Sequence, residues 1–180
     1  MKFSCEKALL QSMITIASRA VAPKSTIPAL EGVLLEAEQE LNLTGYNLKT
    51  GIRGTISADI AEPGSIVLSA RLFGDIIRRL PDDMVTLSTD DLMVNITCGM
   101  SEFNILGMDP SQFPELPAVE YQNSMILPQR ILHSMITETI FAVSTNDSRP
   151  IHTGELFERN GEGLLTVVAV DGYRLALRRE

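Results

Sequence analysis

The chain repeats itself. Ser12-Met13-Ile14-Thr15 recurs as Ser134-Met135-Ile136-Thr137, 122 residues further on. Ala20-Val21 recurs as Ala142-Val143, and Leu43-Thr44 as Leu165-Thr166, at the same offset. Gly32-Val33-Leu34-Leu35-Glu36 matches Gly154-Glu155-Leu156-Phe157-Glu158, again at 122. Four chance matches at a single offset are unlikely. The period exceeds the ~20–50 residues of a solenoid unit and is that of a whole domain.

A finer pattern lies inside it. Segments beginning at Phe3, Ile66 and Met125 each read as a short apolar strand, a helix start and an amphipathic helix. They stand 63 and 59 residues apart, so the domain repeat contains two half-repeats. Between them, Leu41 and Leu43, then Ile56, Ala58 and Ile60, alternate with polar residues, the period of half-buried antiparallel strands. Val85 and Leu87, then Leu92, Val94 and Ile96, do so around a turn at Asp90-Asp91, and Phe103 and Ile105 continue the meander. Glu62-Pro63-Gly64-Ser65 and Asn160-Gly161-Glu162-Gly163 supply turns. The proline-rich stretch Asp109 to Pro117 reads as an irregular inter-domain linker.

The expected fold is α+β, with one domain over residues 1–120 and the first half of a second over 121–180. The second repeat starts near Asn123 and supplies one of two expected half-repeats, so the sequence is either a fragment or completed by another chain. Predicted core stripes are Leu9, Leu10, Met13, Ile16, Ala17 and Ala20 on the first helix. Leu72, Phe73, Ile76, Ile77 and Leu80 form the second, and Ile131, Leu132, Met135, Ile136 and Ile140 the third.

With 44% hydrophobic and 21% charged residues among 180, the chain can bury a real core. No apolar run is long enough for a membrane helix, and the N-terminus lacks a secretory signal. Cys5 and Cys98 lie in strand-like segments and read as reduced core residues of a cytoplasmic protein. The net charge of −8 alone argues against a nucleic-acid partner. Its distribution points the other way. The helical stretches hold Lys7, Arg19, Arg71, Arg78, Arg79 and Arg130 against Glu6, Asp75 and Glu138, so the acidic excess falls on strands and loops. Helices on one side of the fold would then attract phosphate, unless the charges are simply a solvated helix face.

No catalytic pattern stands out. His133 and His152 lack the spacing of a zinc site, and no phosphate-cradling glycine loop follows a strand. Asp82-Asp83 and Asp90-Asp91 sit at turn positions. No cofactor is expected.

Met1-Lys2-Phe3, Thr26 to Leu30, Leu43-Thr44-Gly45-Tyr46-Asn47-Leu48, Asp109 to Pro114 and Val170-Asp171-Gly172-Tyr173-Arg174-Leu175-Ala176 carry a family resemblance. Over the whole chain, the sequence resembles the bacterial DNA polymerase III beta subunit, the beta sliding clamp. That resemblance implies a DNA-clamp fold, with helices on one face and antiparallel sheets on the other. It implies a non-catalytic processivity factor that encircles duplex DNA without reading sequence and tethers the replicative polymerase.

It also implies three such domains per chain and a head-to-tail homodimeric ring, cytoplasmic and nucleoid-associated. Further implied partners are the DNA polymerase III catalytic subunit, the clamp loader and repair polymerases, through a clamp-binding peptide. Lys24 and Asn146 match family DNA contacts; Arg71, Arg78, Arg79, Arg130 and Arg149 join them from charge and helix placement. His152, Val170, Gly172, Tyr173, Arg174 and Leu175 match part of the peptide pocket, with His152 standing where an apolar residue is usual. The alternative is an autonomous protein–protein interaction module with no DNA role.

Overall fold

The computed structural model describes residues 1–119, 124–161 and 163–180. The expected repeat start at Asn123, the 120/121 boundary and Glu162 of the predicted turn fall outside the described residues. Two compact units are present, Met1–Ala118 and Val119–Glu180.

Unit 1 is built by strand exchange between its half-repeats. The first half comprises β1 (Lys2–Glu6), α1 (Lys7–Ala17), β2 (Gly32–Ala37), β3 (Leu41–Tyr46) and β4 (Gly51–Ile56). After β5 (Asp59–Glu62), the second comprises β6 (Gly64–Ser69), α2 (Ala70–Arg79), β7 (Met84–Asp90), β8 (Met93–Cys98) and β9 (Ser101–Leu106). One sheet runs β5-β1-β7-β8-β9, the other β4-β3-β2-β6. Each half thus donates its first strand to the three-stranded meander of the other, pairing antiparallel with β7 or β2. The exchange covers a strand edge that each meander would otherwise expose.

Both sheets pack their inner faces on the helices. Phe3, Leu10, Leu35, Leu43, Leu68, Phe73, Ile77, Leu87 and Ile96 share one core and are essentially inaccessible. At roughly 1.5–3 kcal/mol for each large apolar side chain, this burial is the main force holding the unit together. Cys5 and Cys98 lie in the same core as free thiols.

The buried helical stripe is narrower than the sequence predicts. On α1 it is Leu10, Met13, Ile14 and Ala17, continued by Ala20; Leu9 and Ile16 are exposed. On α2, Leu72 is exposed while Ala70, Phe73, Ile76 and Ile77 are buried. A helix lying on two sheets beside another helix covers one 3–4-spaced stripe, and these residues fall on its outward flank. The alternation Ile56, Ala58, Ile60 is not one strand either. Ile56 ends β4 in one sheet, while Ile60 pairs with Phe3 in the other, so the chain crosses between sheets there.

The expected linker also differs. Asp109 caps a 3-10 turn at Pro110–Gln112, its carboxylate accepting the Ser111 N–H at 2.8 Å. Phe113 is buried, and with Leu116 it packs on Leu30, Leu34 and Tyr46 in a second apolar cluster. Proline excludes regular pairing but not docking of side chains.

Unit 2 replays the first half-repeat. Helix α3 (Gln129–Thr139) and the 3-10 turn Ile140–Ala142 stand 122 residues after α1 and the turn Ser18–Ala20. The meander β10 (Leu156–Arg159), β11 (Leu165–Val170) and β12 (Leu175–Arg179) matches β2-β3-β4, but from β11 on the offset is 124, so that Leu43-Thr44 answer to Val167-Val168 and not to the Leu165-Thr166 of the sequence repeat. Two expectations fail here. Residues 124–128, the predicted strand, are irregular, because the described residues hold no counterpart of β7 to pair with them. Ile140 is exposed, while Thr139 is buried with its hydroxyl donating to Glu155 at 2.6 Å. β10 is exposed throughout, whereas its counterpart β2 is largely buried beneath β6 and α2.

Candidate nucleic-acid interface and partner surface

On the helical side of unit 1, α1 and α2 enclose a groove of about 620 Å³. Its lining is mixed: Gln11, Thr15, Ser18 and Ser69 bring polar groups, Ile14, Val21, Ala22 and Ala70 apolar ones, and Glu31 and Asp75 two carboxylates. Thr15 donates its hydroxyl proton to the Gln11 carbonyl at 2.8 Å, and the Ser69 hydroxyl caps α2 at the Leu72 N–H. Thr15, having donated its proton, turns lone pairs outward, whereas Ser69, which accepts, keeps its own O–H to donate to a ligand.

The cations stand on the flank. Arg71 and Arg78 line the groove, one turn to either side of Gly74 and Asp75. Arg78 is held by Asp75 at 2.9 Å, an exposed (i, i+3) pair that dilutes its charge. Arg78 and Arg79 also occupy the last turn of α2, where the carbonyl ends of the helix favour cations. Arg79 is exposed but lies off the groove. Lys24 is exposed, next to Pro23, which lines the groove. Among the described residues no ion pair engages Lys24, Arg71 or Arg79.

The remaining candidates of this group belong to unit 2. Arg130 is exposed in the first turn of α3. Asn146 lies in the following loop, where its carboxamide oxygen accepts the Ser148 N–H at 2.9 Å. Arg149 is exposed before the 3-10 turn Pro150–His152.

The Asp-Gly-Tyr-Arg motif is the tip of the β11–β12 hairpin. Gly172 takes φ 94°, a conformation that side chains resist. Asp171 organises the rest. One carboxylate oxygen accepts the N–H groups of Tyr173 and Arg174, each at 3.0 Å, and the other holds the Arg174 guanidinium at 2.8 Å. Those two N–H donors, with the guanidinium, hold its carboxyl below the usual carboxylate range. The result is a rigid turn that projects Tyr173 fully into solvent, 101% exposed. Val170 and Leu175 pair across the base of the hairpin. His152 is tied to Ser144 by its carbonyl at 2.9 Å, following Val143, which packs on Ala169 and Ala176.

The register places Leu156, Val168, Val170, Leu175 and Leu177 on one face of this sheet. Leu156 and Leu175 are more than 60% exposed. Sequence reasoning missed Leu156 and Leu177 as members of this surface, and Asp171 as its organiser. The signal for Asp171 was available, since aspartate three residues before an arginine across a glycine is a turn signature. The signal for the leucines required the strand register. Among the described residues no cluster of His, Cys, Asp and Glu could hold a metal.

Residues 1–117 match the family model described as "DNA polymerase III beta subunit, N-terminal domain", and residues 126–180 match its "central domain". The chain is 36% identical over 189 residues to the beta sliding clamp of Halalkalibacterium halodurans, covering 99% of this chain and 50% of that protein. It is 37% identical over 191 residues to the beta sliding clamp of Staphylococcus aureus, covering the same shares. Among solved structures, a DNA polymerase III beta subunit from Eubacterium rectale superposes with a TM-score of 0.93 at 38% identity, over all of this chain and 50% of that one. The DNA polymerase sliding clamp from Bacillus subtilis gives 0.92 at 33%, with the same coverage. The chain spans about half the length of the curated relatives it matches.

Proposed function

The chain belongs to the DNA polymerase III beta subunit family, and from that premise we propose that it works as part of a sliding clamp. In this reading residues 1–120 form the first clamp domain and 121–180 the first half of the second. The protein is a non-catalytic processivity factor that closes as a homodimeric ring around duplex DNA in the bacterial nucleoid. It tethers the replicative polymerase, and the clamp loader and repair polymerases engage it through a short peptide.

The observation that carries the DNA side is the groove between α1 and α2, where Arg71 and Arg78 stand beside hydroxyls and the carboxylates of Glu31 and Asp75 keep the cationic charge sparse. A ring retains DNA by topology, so each contact can be weak. Sparse phosphate contacts give no sequence preference and a small barrier to each step along the duplex. Arg71 and Lys24 supply charge that no ion pair among the described residues engages, and Arg78 supplies charge already shared with Asp75. Arg79, Arg130, Asn146 and Arg149 are assigned as further phosphate contacts.

The partner side rests on the hairpin. An exposed aromatic beside a clamped arginine, above an apolar sheet face, brings together residue types enriched among interface hot spots. In this reading Tyr173, Arg174 and Gly172 form the rim, and His152, Val170 and Leu175 the wall.

The test of the DNA reading is Lys24→Ala combined with Arg71→Ala, assayed by anisotropy of labelled duplex DNA over a salt series. Each lost phosphate contact removes about 0.9 from the slope of log affinity against log salt. The expected fall is therefore roughly 1.8 for the pair, with unchanged circular dichroism. An unchanged slope overturns the assignment.

A further inference from the structure

The β3–β4 and β11–β12 hairpin tips have the same construction. In the β3–β4 turn, the Asn47 side-chain oxygen accepts the N–H groups of Lys49 at 3.0 Å and Thr50 at 2.8 Å, and the Asn47 N–H donates to the Thr50 carbonyl at 3.2 Å. In the β11–β12 turn, Asp171 makes the same three bonds with Tyr173 and Arg174. The second residue has positive φ in both, 70° at Leu48 and 94° at Gly172. The registers below the tips also agree. Leu34 pairs with Thr44 as Leu156 pairs with Val168, and Tyr46 with Gly51 as Val170 with Leu175. His152 lies 122 residues beyond Leu30. Every candidate peptide-pocket residue of unit 2 therefore has a counterpart in unit 1.

The side chains differ at each of these positions, Leu30, Tyr46, Leu48, Lys49, Thr50 and Gly51 standing in unit 1, and so does what lies on them. In unit 2 Leu156 and Leu175 are open to solvent. In unit 1 the same face is covered by Phe113 and Leu116, which pack on Leu30, Leu34 and Tyr46. Leu116 sits directly over Gly51: a Cβ built there would lie 2.6 Å from its Cδ2. Leu175 occupies the equivalent place in unit 2. The groove beside this segment, about 600 Å³, runs on across Thr44, Glu36 and Arg53.

We propose that unit 1 carries a second copy of the partner-peptide site, closed in cis by Phe113 and Leu116. Its ligand class is a short extended peptide bearing an aromatic and an aliphatic residue three positions apart, a class the chain itself supplies as Phe113-Pro114-Glu115-Leu116. This rests on the reading of the unit 2 face as the partner site. Its consequence is valency: a partner finds one open site on these two units instead of two. A ligand on a short tether acts at an effective concentration on the order of millimolar. An added peptide at ~0.1 mM therefore loses to the cis segment by about tenfold.

The test uses the 180-residue chain and a capped peptide of residues 111–117. Binding is read at the amide resonances of Leu34, Thr44 and Tyr46 for unit 1, and of Val168 and Leu175 for unit 2. With Phe113→Ala and Leu116→Ala in the chain, the peptide should shift the unit 1 resonances saturably. A peptide with the phenylalanine replaced by alanine should not. The unsubstituted chain should show unit 1 shifts about tenfold weaker, or none. If the double variant does not fold, Leu116→Ala alone provides the test, since that side chain is only half-buried. No unit 1 shift in a folded variant, or equal shifts in the unsubstituted chain, overturns the proposal. Unit 2 resonances that stay still while unit 1 responds count against the reading of unit 2 and leave the closed site supported.

Discussion

Two glycines in unit 1 predict opposite effects of the same substitution. Gly45 in β3 faces α1 so closely that a methyl group there would lie 2.0 Å from the Ala17 carbonyl oxygen and 2.9 Å from its carbon. That obstacle is backbone, at the last residue of α1, and cannot rotate away. Relief requires the helix end to retreat by at least about 1 Å, which opens the core around Leu10, Met13 and Leu43. The cost of Gly45→Ala is therefore at the upper end for overpacking, about 3 kcal/mol. At roughly 4 °C per kcal/mol for a unit of this size, its melting temperature should fall by about 12 °C.

Gly74 lies within α2, where a methyl group would meet only Ile14 Cγ2 at 3.5 Å, an ordinary contact. Gly74→Ala should instead stabilise by about 0.5–1 kcal/mol, through helix propensity and a less flexible unfolded chain. Urea and thermal unfolding followed by far-UV circular dichroism measure both. Because Ser18, Val21 and Pro23 follow the displaced helix end and line the groove, Gly45→Ala should also weaken duplex binding. A loss below about 1 kcal/mol at Gly45, or the same sign at both positions, refutes the argument.

Asp171→Ala should loosen the hairpin tip, seen as faster amide exchange at Tyr173 and Arg174 with the core amides unchanged. The carboxyl of Asp171 is held below its ordinary 3.8, so its stabilisation is complete above that pH and is lost as pH falls through the depressed value. Slow exchange at the tip should accordingly survive from neutral pH down to about 4 and give way only in stronger acid. Burial and the neighbouring Glu6 push the Cys5 thiol up to about 12, and burial raises Cys98 as well. Neither thiol should react with a disulfide reagent at pH 8 in the native chain, and both should react in denaturant; rapid native labelling would contradict their placement. Tyr173→Ala should abolish capture of a polymerase-derived clamp-binding peptide while leaving the melting temperature unchanged, because the ring is fully exposed. Retained affinity would remove Tyr173 from the partner surface.

Much of this architecture was legible in the sequence. An offset of 122 residues connects α1 with α3 and the turn Ser18–Ala20 with Ile140–Ala142 without a slip. Strand alternation located the meanders of unit 1, and Glu62-Pro63-Gly64-Ser65 marked a turn, whereas the place of Asp-Gly-Tyr-Arg at a hairpin tip needed the strand pairing. Local patterns suffice there because a helix stripe and a strand pleat are periodic along the chain, and a turn is set by a few adjacent residues.

Tertiary structure decided what depends on partners far along the chain. Residues 124–128 stand 122 residues after β1 and carry an apolar run, yet a strand is a pairing and not a property of a segment. Leu9, Ile16 and Leu72 resemble core residues, but which flank of a helix meets the sheets is set by the neighbouring helix. The stretch Asp109–Pro117 carries the signals of a linker, and only the contacts of Phe113 and Leu116 reveal a segment docked on its own unit. Leu156 and Leu177 become one surface with Val168, Val170 and Leu175 only through register, because a slip of one residue would send them to the opposite face.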